Sequence, residues 1–213
     1  MTDAAQSPDD LAPDDLARHA AKMAKKKAAR DRMMETKTGE KGLIIVHTGP
    51  GKGKSSSGFG MIMRCIAHDM PCAVVQFIKG AWDTGERRLL TGHFADKVQF
   101  HVMGEGFTWE TQDKSRDVAA AQAGWAKAQD MIRDPAIRMV LLDEINIAFR
   151  YGYIDVEQVL TFLANEKPPM THVVLTGRGA PDALIEAADL VTEMSLVKHP
   201  FRDGIKAQAG VEF

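Results

Sequence analysis

A glycine-rich segment near the front of the chain restricts its fold more than any other feature. Residues 48–55 (Thr-Gly-Pro-Gly-Lys-Gly-Lys-Ser) follow an apolar, β-branched run at 43–47 and precede a stretch with helical spacing at 55–68. Glycines between a strand and a helix let the backbone turn tightly, so that successive N–H groups point inward. Together with the start of the following helix, these donors form an anion site at the edge of a parallel α/β sheet.

The segment also fits the phosphate-loop pattern G-x-x-x-x-G-K-[ST], with Thr48 at the first glycine position. We expect Lys54 to contact phosphate oxygens and the Ser55 hydroxyl to bind Mg²⁺. A glycine-rich turn with incidental lysines is the alternative, and the strand before and the helix after the loop argue against it. The nucleotide-binding residues predicted here are Gly49, Pro50, Gly51, Lys52, Gly53, Lys54, Ser55 and Ser56.

Short apolar runs alternate with helical stretches along the rest of the chain. This alternation predicts an α/β, P-loop NTPase-like three-layer fold, in which helices cover both faces of a mostly parallel central sheet. Strands are predicted at 43–47, 73–78, 98–102, 138–143, 171–176 and 189–194. Helices are predicted at 55–68, 86–94, 114–133, 156–165 and 181–188, with an irregular segment at 103–113. We assign residues 41–213 to one nucleotide-binding catalytic domain.

The first 40 residues have a different composition. Residues 1–15 carry five acidic residues, two prolines and no base, which predicts a disordered acidic tail. Residues 16–32 carry seven bases and one acid among alanines and methionines, and we predict a basic helical arm at 16–40. A solvated helix and an arm that docks on a partner subunit or an anionic ligand both fit this pattern.

Composition excludes several classes of protein. With 45% hydrophobic and 26% charged residues, the chain has the composition of a globular protein. Its net charge of -2 gives no basic footprint for nucleic acid, so we expect no nucleic-acid partner. Two cysteines cannot form a disulfide framework, and neither a secretory signal nor an apolar run of about 20 residues is present. We therefore expect a cytoplasmic protein without a membrane partner.

Two further features point to chemistry at the same sheet edge. Asp143 and Glu144 end an apolar strand, where a carboxylate of a phosphate-loop protein binds Mg²⁺; an ordinary helix cap is the alternative. Phe107 and Trp109 lie in the irregular segment, where they either fill the core or cover an apolar ligand. The base-reading Asn-Lys-x-Asp of GTPases and the His-Arg-Asp of protein kinases are both absent from the sequence.

Taken together, these motifs resemble those of the P-loop corrinoid adenosyltransferases, and the resemblance covers about residues 16–213. The shared segments occur in one order at 48–55, 76–80, 85–86, 106–112, 142–144, 176–179, 197–201 and 206–210. Two departures lie in the phosphate loop, where Pro50 replaces an asparagine and Ser55-Ser56 replace a threonine pair. Serine keeps the metal-binding hydroxyl, whereas Pro50 has no N–H and puts one phosphate contact in question.

The resemblance implies transfer of the 5′-deoxyadenosyl group of ATP to the cobalt of a reduced Co(I) corrinoid, with release of triphosphate, in adenosylcobalamin biosynthesis or salvage. It implies that Lys54 and Arg178 contact the nucleotide, which lies in the loop in reversed sense; for Arg178, an arginine in a surface turn is the alternative. Arg64, late in the helix after the loop, either contacts the nucleotide or faces solvent. Mg²⁺ would be bound by Ser55, Asp143 and Glu144. Phe107 and Trp109 would displace the lower ligand of the corrinoid, which eases reduction of the cobalt.

The resemblance also implies partners. These are a second copy of the chain, with the basic arm covering the site across a homodimer, and a reduced flavin or flavoprotein as electron donor.

A P-loop ATPase or small-molecule kinase that releases ADP is the alternative enzyme, and a nucleotide-gated binding module is the alternative without catalysis. The sequence leaves open which corrinoid is preferred and how selective the site is for the nucleotide.

Overall fold

The computed structural model describes residues 13–78, 84–103 and 114–212. The chain divides into two units, Met1–Glu40 and Lys41–Phe213. Within the described residues, no helix has both the length and the apolar character needed to cross a bilayer.

The first unit contains one helix, α1 (Pro13–Glu35). Proline suits the first turn because it has no N–H to leave unbonded. Asp14 and Asp15 lie in that first turn and Arg32 lies in the last. These charges interact favourably with the helix dipole. Residues 13–15, which we assigned to the tail, are therefore helical, and the helix begins earlier than the predicted arm. The rest of the predicted tail, 1–12, lies outside the described residues.

The second unit is built on a six-stranded sheet with the order β3-β2-β4-β5-β1-β6, in which every pair of neighbouring strands is parallel. Its strands are β1 (Ile44–Thr48), β2 (Cys72–Gln76), β3 (Val98–Val102), β4 (Met139–Asp143), β5 (His172–Thr176) and β6 (Leu190–Glu193). Its helices are α2 (Lys54–Ala67), α3 (Gly85–His93), α4 (Lys114–Arg133), α5 (Ile145–Arg150), α6 (Val156–Glu166) and α7 (Asp182–Ala187), followed by a 3₁₀ turn at Pro200–Asp203.

Helices cover both faces of the sheet, which explains why the inner strands are apolar except near their ends. On one face, Phe59 and Ile62 of α2 pack with Leu141 of β4. On the other face, Trp125 of α4 and Phe162 of α6 belong to one buried cluster and meet edge-on with ring centroids 5.2 Å apart. Each fully buried side chain of this size contributes about 1.5–3 kcal/mol, so the two apolar layers hold the sheet and its loops in place.

The structure confirms the predicted fold class and corrects details. Strand β3 and helix α4 have the predicted bounds, and the bounds of the other predicted elements of this unit differ by one or two residues. The sheet is parallel throughout rather than mostly parallel. Helix α5 was not predicted, because six residues directly after a strand are too few to show helical periodicity. The predicted irregular segment lies outside the described residues except for Met103.

Candidate active site

Three loops meet at one edge of the sheet because β4, β5 and β1 are neighbours and run parallel. The phosphate loop follows β1, the two carboxylates end β4, and a Gly-Arg-Gly turn follows β5. The carboxyl edge of a parallel sheet is where α/β proteins bind ligands. The fold therefore brings together the loop, the carboxylates and the turn that the sequence marks as separate motifs.

The glycines of the phosphate loop are required by its backbone. Gly49 and Gly53 have φ angles of 96° and 108°, in the left-handed region that favours glycine. A Cβ on Gly51 would lie 2.5 Å from the Ser195 carbonyl oxygen, so the segment after β6 packs directly on the loop. Gly53 is the N-cap residue of α2 and has no side chain that could accept a hydrogen bond. The first N–H groups of the helix therefore have no capping side chain and point towards the phosphate loop.

The residue after Pro50, Gly51, has a backbone N–H that is already hydrogen-bonded within the protein. The Gly51 N–H donates to the Met194 carbonyl oxygen at 2.7 Å, and the Met194 N–H donates to the Thr48 carbonyl oxygen at 2.9 Å. These bonds tie the start of the loop to the segment after β6. The Gly51 N–H is therefore engaged within the protein and is not free for a phosphate.

Lys54 is a buried cation at the start of α2, with 6% of its surface exposed. Its Nζ donates to the Gly51 carbonyl oxygen at 2.5 Å. Burial lowers the pKa of Lys54, the Glu144 carboxylate opposes that shift, and Arg178 and Lys52 lower the pKa further. Charged side chains from three separate segments therefore act on Lys54 at this edge of the sheet.

Lys52 pairs with a carboxylate from the far end of the sequence. Its ammonium forms an ion pair with Glu212, whose side chain is 19% exposed. Sequence reasoning missed Glu212, since nothing in the local pattern near the C-terminus indicates a partner 160 residues away. The C-terminal segment of the chain therefore returns to the phosphate loop.

Asp143 is fully buried, and both of its carboxylate oxygens accept hydrogen bonds. Gln76 Nε2 donates to one oxygen at 2.9 Å, and the Thr176 hydroxyl donates to the other at 2.8 Å. The three residues end neighbouring strands β2, β4 and β5. Sequence reasoning assigned no role to Gln76 or Thr176, although a polar residue that ends a buried apolar strand was the available signal.

Glu144, the next residue, interacts with the charge of Lys54 and raises the pKa of that lysine. It precedes α5 with a left-handed φ of 63°, a conformation that costs roughly 1–3 kcal/mol in a residue other than glycine. Its N–H donates to the Thr176 hydroxyl oxygen at 3.0 Å. A Cβ on Gly177 would lie 3.2 Å from Glu144 Oε2, so this carboxylate sits against the turn after β5.

Arg178 lies in that turn, between two glycines with positive φ angles, 130° at Gly177 and 70° at Gly179. Its side chain is exposed, and its charge acts on Lys54. The structure thus brings Arg178 to the phosphate loop, as the nucleotide-binding hypothesis needs.

One further predicted site residue, Arg64, is not brought to this edge. Arg64 lies exposed in the last turn of α2, ten positions after Lys54 and thus about 15 Å further along the helix axis. It therefore lies far from the phosphate loop of its own chain. Phe107 and Trp109 lie outside the described residues.

Comparisons with known proteins identify the family of the chain. A family model described as ATP:corrinoid adenosyltransferase BtuR/CobO/CobP matches residues 40–213, and one described as Cob(I)alamin adenosyltransferase N terminal matches residues 6–34. A corrinoid adenosyltransferase of Sinorhizobium sp is 71% identical over 199 residues, which cover 93% of each chain.

More distant relatives carry the same name. A corrinoid adenosyltransferase of Pseudomonas aeruginosa is 54% identical over 92% of this chain and 96% of its own length. One of Escherichia coli K12 is 45% identical over 82% of this chain and 87% of its own length. The first family model spans the whole sheet and every loop at its carboxyl edge. The chain belongs to the ATP:corrinoid adenosyltransferase family.

Proposed function

We propose that the sheet edge formed by the loops after β1, β4 and β5 holds the triphosphate of ATP as a leaving group. The chain is a corrinoid adenosyltransferase of cobalamin biosynthesis by its family. In the reaction, the electron pair of Co(I) forms a bond to the ribose 5′-carbon, and the pair of the broken carbon–oxygen bond leaves with triphosphate. The observation that carries the proposal is that Lys54 is buried at the start of α2, where the turn that carries Arg178 is hydrogen-bonded to His47 and Thr48 at the start of the phosphate loop.

The protein contributes position and charge rather than a nucleophile. The cobalt of the corrinoid substrate attacks, so no activated Ser, Cys or His is needed. Negative charge builds up on the departing triphosphate, and preorganised donors that face this charge lower the barrier. Lys54 is buried and Arg178 presents a planar fork suited to two phosphate oxygens, so together they provide these donors.

The oxygen donors at this edge fit Mg²⁺. Ser55 supplies a hydroxyl in the first turn of α2, and Glu144 supplies a carboxylate near Lys54. Within the described ranges, no group of three or more His, Cys, Asp or Glu residues could hold a metal ion. Mg²⁺ needs no such group, because one or two protein oxygens, phosphate oxygens and water complete its shell. When bound, Mg²⁺ would neutralise charge on the triphosphate.

Asp143 has a different role in this proposal. Both of its oxygens are engaged by Gln76 and Thr176, and Thr176 in turn accepts the Glu144 N–H. Asp143 therefore holds the backbone of Glu144, the metal-binding residue, in place through Thr176, and it reaches Mg²⁺ at most through water.

The roles of Phe107 and Trp109 at the corrinoid, the homodimer and the flavin donor stay predictions.

The proposal is tested by mixing the protein with Mg-ATP and a chemically reduced Co(I) corrinoid. We expect the light-sensitive spectrum of an alkyl-cobalt product, and we expect Lys54→Met to abolish it. Lys97→Met is the matched control, because Lys97 precedes β3 at the opposite edge of the sheet and pairs with Asp69. Wild-type turnover by Lys54→Met would overturn the proposal, and ATP binding without any turnover by the wild type would favour the binding-module alternative.

A further inference from the structure

The turn that carries Arg178 is held at both ends by groups from other segments. At its start, the Gly177 N–H donates to the His47 carbonyl oxygen at 3.2 Å, and Asn146 Nδ2 donates to the Gly177 carbonyl oxygen at 3.0 Å. At its end, the Ala180 N–H donates to the Thr48 hydroxyl oxygen at 3.1 Å. Two of these three contacts come from side chains.

Thr48 is the residue that departs from the general phosphate-loop pattern. It is 6% exposed, ends β1 and stands where the pattern has a glycine. A glycine has no hydroxyl and would leave the Ala180 N–H without this acceptor. The Thr48 side chain therefore links the start of the phosphate loop to the turn after β5.

Asn146 is fully buried in the first turn of α5. Its Oδ1 has no hydrogen-bond partner among the described residues, and a buried acceptor without a partner costs about 1–3 kcal/mol. A leucine of similar size would avoid this cost. What the amide provides is the Nδ2 donor, and that donor holds Gly177, at a site where a Cβ on Gly177 would lie 2.9 Å from the Asn146 Cβ.

We propose that Thr48 and Asn146 are positioning residues that hold the Gly177–Ala180 turn and thereby aim Arg178 at the triphosphate of ATP. The proposal rests on the proposed contact between Arg178 and ATP. Two glycines with positive φ give the turn many conformations when nothing holds it. Because the turn is held at both ends, the backbone position of Arg178 is fixed before ATP binds. Less conformational entropy is then lost when the arginine side chain contacts the phosphates.

The test uses Thr48→Val and Asn146→Leu, which keep side-chain size and remove one hydrogen-bonding group each. We expect each to raise the KM for ATP roughly tenfold, which corresponds to about 1.4 kcal/mol, and to leave the KM for the corrinoid unchanged. Thr48→Ser keeps the hydroxyl and should restore the wild-type KM. In an Arg178→Ala background, neither substitution should raise the KM for ATP further, because the residue through which they act is gone.

Asn165→Leu is the matched control, since Asn165 Nδ2 donates to the Thr161 carbonyl oxygen on the exposed side of α6. It should leave both KM values unchanged, and thermal unfolding checks that every variant folds. An unchanged KM for ATP in Thr48→Val and Asn146→Leu, beside an impaired Arg178→Ala, would overturn this inference alone. The same fold increase with and without Arg178 would also overturn it. A wild-type KM for ATP in Arg178→Ala would overturn the proposed Arg178 contact as well.

Discussion

Asp143 and Glu144 are neighbours in sequence but meet different surroundings, and residue-scale chemistry depends on that difference. Asp143 is enclosed by donors from β2 and β5, whereas Glu144 faces the positive charges of the phosphate loop. The sequence predicts that an acid of this pair serves the metal, but it gives both residues the same role. Only the strand order β2-β4-β5 shows which acid is enclosed.

Replacing Asp143 by Asn should destabilise the fold. One carboxylate oxygen becomes an NH₂ group that faces a donor, so a buried hydrogen bond is lost, and the free energy of unfolding should fall by about 1–3 kcal/mol. Glu144→Gln should fold with a smaller loss and should instead raise the Mg²⁺ concentration needed for half-maximal turnover. Urea unfolding and Mg²⁺ titration measure the two effects. An unchanged stability in Asp143→Asn would contradict the enclosed arrangement.

Replacing Lys54 by Met should separate stability from activity. Burial lowers the pKa of Lys54, so a charged Lys54 makes the folded protein less stable than an uncharged side chain of the same size would. Lys54→Met should therefore unfold at a higher temperature than the wild type while losing turnover. Because the unfolded chain binds the proton more tightly, wild-type stability rises with pH, and the advantage of the variant should shrink towards pH 10.5. A lower melting temperature for the variant at pH 7 would contradict the claim that the buried charge of Lys54 destabilises the folded protein.

At the scale of elements, the sequence predicts most of the sheet and its helices because apolar periodicity depends on which face is buried. Helix α4 and strand β3 show this, since their bounds equal the predicted ones. What periodicity leaves out is the distance between packed elements. Gly58 and Gly60 of α2 look alike in sequence, yet only the first lies against the sheet, where a Cβ would be 2.7 Å from Leu141 Cδ1.

Alanine at these two glycines should have opposite effects. Gly58→Ala must displace the buried Leu141 side chain and should lower the free energy of unfolding by roughly 1–3 kcal/mol, as overpacking of a core does. Gly60→Ala meets nothing within 4 Å and should raise stability by up to about 1 kcal/mol, because alanine favours a helix more than glycine does. Chemical denaturation measures both. Equal losses in the two variants would mean that helix α2 does not depend on close packing at Gly58.

At the scale of the whole molecule, the site is completed by contacts between distant parts of the second unit. The pairs Lys52–Glu212 and Thr48–Ala180 join segments that no local pattern connects. The motif order and the resemblance predict the family, which the family comparison confirms, and a site at the carboxyl edge of the sheet, where the strand order brings the three loops together. They do not predict these contacts, since each depends on how loops from different strands lie once the sheet has formed.

The C-terminal pair predicts an effect on ATP binding. Glu212 forms an ion pair with Lys52. In the proposed function, the triphosphate would displace this carboxylate when ATP binds. Glu212→Gln should lower the KM for ATP by up to about fivefold, the range that a surface ion pair provides, and salt should weaken the effect. Glu166→Gln is the matched control, because Glu166 pairs with Arg133 between α4 and α6. A raised KM for ATP would show instead that Glu212 supports the loop.

The central claim is that the polyphosphate held by the loop after β1 leaves as one piece when the corrinoid is alkylated. Phosphorus NMR of the products, recorded with Mg-ATP and a Co(I) corrinoid, tests this claim most directly. The account predicts triphosphate in equal amount to the alkyl-cobalt product. ADP and inorganic phosphate, formed without a cobalt–carbon bond, would contradict it and would favour an ATPase or kinase.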